Sequence, residues 1–178
     1  MRMGFEIFTG LAKGLVQIGE MGMIEITIPG YQTLQLKHLI LDYNGTLACD
    51  GEVIAGVEEC LESLSRDLEI HVLTADTFGK VKSGLKDSPC KISVLPVENQ
   101  DIGKLAYVKK LGCENAVCIG NGRNDQLMLS ESALGIAVVL QEGAALQTLQ
   151  SADVVCTSIV SAFELLLHPL RLTATLRS

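Results

Sequence analysis

Two short segments carry the residue types that could do chemistry. Asp42-Tyr43-Asn44-Gly45-Thr46 follows the apolar run Leu39-Ile40-Leu41, and Gly120-Asn121-Gly122-Arg123-Asn124-Asp125 follows Ala116-Val117-Cys118-Ile119. A carboxylate and a glycine turn at the carboxyl end of a buried strand stand where open α/β sheets bind ligands. Two such strand ends suggest a site for a divalent metal and a phosphate. Asp42 could attack a phosphoryl group, and the Gly45-Thr46 turn could direct backbone N–H groups at the anion. An ordinary turn has the same sequence, so these five residues alone leave both readings open.

Thr74, after Ile70-His71-Val72-Leu73, could offer its hydroxyl to a phosphate oxygen or cap the next helix, a task Asp76 could take instead. Lys104 falls early in a helical segment, where its ammonium could balance a carboxylate and a phosphate or, like Lys109 and Lys110, simply be solvated; its position relative to the 120–125 loop favours the first. Asn121 and Asp125 share a glycine-containing loop that opens a helix, so their oxygens could face a hard cation such as Mg²⁺; the loop could equally be a capping turn with Asn124 or Asp125 at the N-cap.

The elements that must position these residues alternate. Strands are predicted at 24–28, 34–41, 70–73, 90–95, 116–119, 135–140 and 154–155, and helices at 56–68, 78–85, 102–111, 124–130 and from 158 to about 168, with a short one between the last two strands. Asp50-Gly51 centres a small hairpin within 47–55. The pattern is that of a doubly wound, Rossmann-like parallel sheet covered on both faces. Residues 1–22 are read as an N-terminal extension or short amphipathic helix and 23–178 as one domain.

At 178 residues and 48% hydrophobic content the chain can build a large core. The net charge of −7 and the lack of any basic run argue against nucleic acid as a partner. No apolar stretch is long enough for membrane insertion. Six cysteines without a CxxC pair read as reduced structural thiols, which suggests a cytoplasmic protein. His38, His71 and His168 show no ligand spacing and are assigned to structure or surface.

In their order and at their strand ends, Asp42 with Asn44-Gly45-Thr46, Thr74, Lys104 and the 120–125 loop resemble the haloacid dehalogenase (HAD) superfamily. Within it, Leu73-Thr74-Ala75-Asp76, the 120–125 loop, Ala133-Leu134-Gly135-Ile136-Ala137 and Ser151-Ala152-Asp153-Val154-Val155 are similar to segments of the P-type ATPase phosphorylation domain. The resemblance covers about 38–166. It implies a HAD-like fold with a small β-hairpin flap and no cap domain, as in small soluble P-type ATPase-like members. It further implies Asp42 as nucleophile, and Asp42, the Asn44 carbonyl, Asn121 and Asp125 around Mg²⁺. Gly45, Thr46, Thr74, Ala75 and Lys104 would surround the phosphate.

The chain departs from that pattern twice. Most phosphatases of the superfamily carry an Asp two residues after the nucleophile as general acid and base. An amide at Asn44 cannot move that proton, so turnover should slow by ~10²-fold or more. Asn121 stands where a metal-binding Asp is usual and removes a charge from the site. The expected function is therefore a slow Mg²⁺-dependent phosphohydrolase. The alternative is a weak or inactive phosphate- or metal-responsive binding or regulatory protein related to P-type ATPases; the metal-type loop argues against dehalogenation. Without a cap, the substrate would be a phosphoprotein, or a phosphorylated small molecule enclosed by a second copy in a homo-oligomer.

Overall fold

The computed structural model describes residues 22–75 and 80–178. Apart from Gly22, the predicted N-terminal extension lies outside the described residues, as does Asp76. The chain enters through an antiparallel pair, β1 (Ile24–Thr27) and β2 (Thr33–Leu36), before β3 (His38–Asp42) begins the central sheet. A flap of β4 (Ala48–Cys49) and β5 (Glu52–Val53) leads to α1 (Val57–Leu64), β6 (Glu69–Thr74), α2 (Lys80–Gly84) and β7 (Lys91–Val94). Then come α3 (Gln100–Leu111), β8 (Ala116–Gly120), α4 (Gln126–Glu131), β9 (Leu134–Val138), α5 (Leu146–Ser151), β10 (Val154–Cys156), α6 (Ile159–Leu167) and α7 (Pro169–Leu176). Six strands form one parallel sheet in the order β10-β9-β8-β3-β6-β7.

That order fixes where the site must be. From β3 the chain builds outward through β6 to β7, then returns to the other side of β3 with β8. The strand order reverses between β3 and β8, and the crevice outside their carboxyl ends is the binding place of such sheets. Asp42 ends one of these strands and Gly120 the other.

Alternation along the buried strands assigns their faces. Leu39 and Leu41 join a core with Val57 and Leu61 of α1 and Phe163 and Leu166 of α6. Ile40 and Leu73 pack on the opposite face with Val108 of α3 and Met128 and Leu129 of α4. Asp42, two residues beyond Ile40, therefore shares the face that α3 covers.

Three expectations need correction. The predicted strand 34–41 is two strands. Lys37 donates its N–H to Asn115 O (2.8 Å) and accepts from Glu69 N (2.9 Å), turning the chain from the half-buried hairpin into the fully buried sheet. The alternating burial of Thr33–Leu36 against the unbroken burial of residues 39–42 is the trace of that change. The helix predicted at 124–130 starts as a single 3₁₀ turn, Arg123–Asp125, before α4. At Pro169 the last helix bends by 101° and continues as α7, with proline at the first helical position. Among the described residues no single helix is long and apolar enough to cross a membrane.

Candidate active site

Helix α3 carries a lysine on its inner face because Lys104 and Val108 are one turn apart and both are buried. Its ammonium reaches Asp42 Oδ1 at 2.6 Å and Asp125 Oδ1 at 2.5 Å, and the lysine is 1% exposed. Lys109 and Lys110, on the other face, are exposed.

Asp125, fully buried, uses its other oxygen to accept from the N–H groups of Asn121 (3.0 Å) and Gly122 (2.9 Å). Asp125 thus does not cap α4, which has no side-chain cap bond; one oxygen reaches back to the N–H of Gly122, which opens the 3₁₀ turn, and the other pairs with Lys104. The loop closes tightly enough that a Cβ on Gly120 would stand 2.4 Å from the Asp125 carboxyl carbon. From outside, Ala145 N donates to Asn121 O at 2.9 Å, and Thr148 Oγ1 to Gly122 O at 2.6 Å.

Thr46 is buried at the point where the two motifs meet, its hydroxyl 3.3 Å from both Asp42 Oδ2 and Asn121 Oδ1. Asn121 Nδ2 donates to Gly143 O at 3.0 Å, which turns the amide oxygen inward. Gly45, at φ 73°, lies so close that a Cβ would be 2.4 Å from Asn121 Nδ2. The expected anion nest does not form at this turn. Gly45 N–H donates to Ala48 O (2.8 Å) and Thr46 N–H to Tyr43 O (3.3 Å), because both serve the turn that starts the flap.

Thr74 is buried at the end of β6, paired with Val94. Ala75 follows it, half-buried. Asn44 is exposed at the mouth. The flap inserts only a few residues here and is held by Asp50 N–H donating to Glu142 Oε1 at 3.0 Å. Sequence reasoning missed Gly143, Ala145 and Thr148, which brace the loop; nothing in their local sequence marks them.

Among the described residues the charges do not balance: two buried carboxylates share one ammonium. Burial and the neighbouring Asp125 charge raise the Asp42 pKa to about 7, against the opposing pull of Lys104. Burial disfavours the Lys104 ammonium, but the two carboxylates outweigh it and its pKa is raised. Excess negative charge beside converging oxygens from Asp42, Thr46 and Asn121 is a donor set that fits a hard divalent cation. Cys118, on β8 under the site, is buried with its thiol pushed up to about 12, and all six cysteines are free, as a structural role requires.

No family model matches the chain. The uncharacterized protein MJ0073 of Methanocaldococcus jannaschii is 42% identical over 83 residues, which span 44% of this chain and 89% of that protein. The cobalt-bound deoxy-D-mannose-octulosonate 8-phosphate phosphatase of Haemophilus influenzae superposes with a TM-score of 0.63 at 15% identity, over 80% of this chain and 94% of that one. The corresponding phosphatase of Moraxella catarrhalis, in complex with magnesium, phosphate and KDO, gives 0.57 at 19% identity over 74% and 86%. A zinc-transporting PIB-type ATPase gives 0.56 at 18% identity, over 68% of this chain and 20% of that one. At these identities the likeness is one of fold.

Proposed function

We propose that this chain, which belongs to the same family as MJ0073 and has the fold of the HAD superfamily, is a slow divalent-metal-dependent phosphohydrolase acting through an aspartyl phosphate on Asp42. The observation that carries the proposal is the buried bridge from Asp42 through Lys104 to Asp125 at the strand-order reversal, facing Thr46 and Asn121.

Asp42, the Asn44 carbonyl and the Asn121 amide oxygen would hold Mg²⁺. Asp125 would act behind them, since Lys104 and two N–H groups already occupy its oxygens. The metal would supply positive charge to a phosphate oxygen and offset its repulsion from Asp42. An Asp42 carboxylate oxygen attacks phosphorus, the P–O bond to the leaving group breaks, and the leaving oxygen takes its proton from water because Asn44 has none to give. Water then attacks the same phosphorus, the acyl phosphate P–O bond breaks, and inorganic phosphate leaves with the Asp42 carboxylate restored. Lys104 would hold the carboxylate in place through both steps, and the Thr74 hydroxyl would bind a phosphoryl oxygen.

The substrate would be a phosphorylated small molecule or a phosphoprotein admitted by the open mouth. Turnover of p-nitrophenyl phosphate and acetyl phosphate with Mg²⁺, compared between the wild-type chain and Asp42→Asn, tests the proposal; equal rates would sink it. Asn44 favours a second reading, a phosphate-responsive regulator. In that case Mg²⁺ with beryllium fluoride raises the melting temperature of a protein that shows no turnover.

A further inference from the structure

At the opposite end of the central sheet from Asp42, two imidazoles and a carboxylate converge. His38 opens β3, Glu69 opens β6 as its register partner, and His71 is two residues further along β6 on the same face as Glu69. Glu69 Oε2 lies 3.2 Å from His38 Nδ1 and 3.3 Å from His71 Nε2. Among the described residues both nitrogens are buried without a hydrogen-bond partner, so Glu69 is close to each but not aligned as an acceptor. His71, only 2% exposed, is oriented from behind. Its Nδ1 is 3.0 Å from the Tyr107 hydroxyl of α3, which Ser93 Oγ also approaches at 3.3 Å. In the tautomer whose Nδ1–H donates to the phenol, Nε2 presents a lone pair toward the carboxylate.

A lone pair facing a carboxylate at this distance repels it unless a cation lies between. Ligand atoms about 2.0–2.1 Å from a tetrahedral Zn²⁺ are roughly 3.3 Å apart, which matches both separations. Two imidazoles and a carboxylate are also a zinc donor set with one position left open.

We propose that His38 Nδ1, His71 Nε2 and Glu69 Oε2 form a zinc site that clamps the amino ends of β3 and β6, with Tyr107 as the residue positioning His71. Lys91 pairs with the other Glu69 oxygen, Oε1, leaving Oε2 for the metal, and Lys37 is the further cation near His38. Glu69 and Lys91 also line a cavity of about 590 Å³. His38 and Glu69 stand four strand residues, about 13 Å, from the level of Asp42, and His71, the register partner of Ile40, stands two residues, about 7 Å, from it.

Metal-stripped protein is titrated with Zn²⁺ in excess Mg²⁺ and separately with Co²⁺, as wild type, Asp42→Asn, His38→Gln and Tyr107→Phe. Wild type and Asp42→Asn are expected to bind one tight Zn²⁺ and to give the intense visible bands of four-coordinate Co²⁺. His38→Gln should lose the bands and bind Zn²⁺ at least 100-fold more weakly, and Tyr107→Phe about 10–100-fold more weakly. The Tyr107→Phe arm decides the matter if His38→Gln does not fold. Unchanged Zn²⁺ affinity in the variants, or loss of the Co²⁺ bands in Asp42→Asn, would overturn the assignment.

Discussion

Replacing Lys104 by Met keeps most of the side-chain volume and removes the charge, which isolates the ammonium's role. In the folded protein Lys104 is 1% exposed and sits 2.6 Å from Asp42 and 2.5 Å from Asp125, itself fully buried. Removing one partner of a buried ionic group leaves uncompensated charge and costs about 3–5 kcal/mol. With a urea slope of about 2 kcal/mol per M, the unfolding midpoint should fall by roughly 1.5–2.5 M. Because Asp42 is already pushed toward protonation by burial and by Asp125, Asp42→Asn alone should stabilise the metal-free protein. In the double variant it should recover part of the Lys104→Met loss, a coupling of about 0.5–3 kcal/mol in a double-mutant cycle. Mg²⁺ should also stabilise Lys104→Met more than wild type, since it supplies the missing positive charge. A midpoint shift below about 0.3 M with no coupling to Asp42 would refute the buried-bridge account.

Asn44→Asp restores a proton-carrying group at the mouth and should raise steady-state phosphatase turnover about 10²-fold, read from the rate of phosphate release. Asn121→Asp adds a charge beside Asp42 and should tighten Mg²⁺ about tenfold while destabilising the metal-free fold, checked by calorimetric titration and urea unfolding. Gly45→Ala places a Cβ 2.4 Å from Asn121 Nδ2 at a φ of 73°, so it should cost about 1–3 kcal/mol and weaken Mg²⁺ binding together. Wild-type stability in that variant would mean that the turn does not press on Asn121.

The strand-end motifs were legible because each signal was local. An apolar run closed by Asp42 or by Gly120 has to be a buried strand entering a crevice. Lys104 was legible only as an early residue of a helical segment; the structure sets it on the inner face of α3 with Val108 and joins it to both carboxylates. The break at Lys37 was not legible, because Leu34 to Leu41 holds no glycine or proline and the turn is imposed by Asn115 and Glu69, both distant in sequence. The same limit hid the cluster of His38, Glu69 and His71. Two histidines thirty-three residues apart show no spacing signal until strand pairing sets β3 beside β6 in register. The turn at Gly45 and Thr46 carried the right residues for an anion nest, yet their N–H groups close the flap instead.

The account rests on Asp42 as the residue that accepts phosphorus. Wild-type protein mixed with acetyl phosphate and Mg²⁺, quenched in acid, digested and mapped by mass spectrometry, measures this directly. A phosphoryl adduct confined to the peptide containing Asp42, absent from Asp42→Asn and shorter-lived in Asn44→Asp, is the predicted result. Phosphate release from the wild-type protein with no adduct on that peptide, or an adduct that persists in Asp42→Asn, would contradict it.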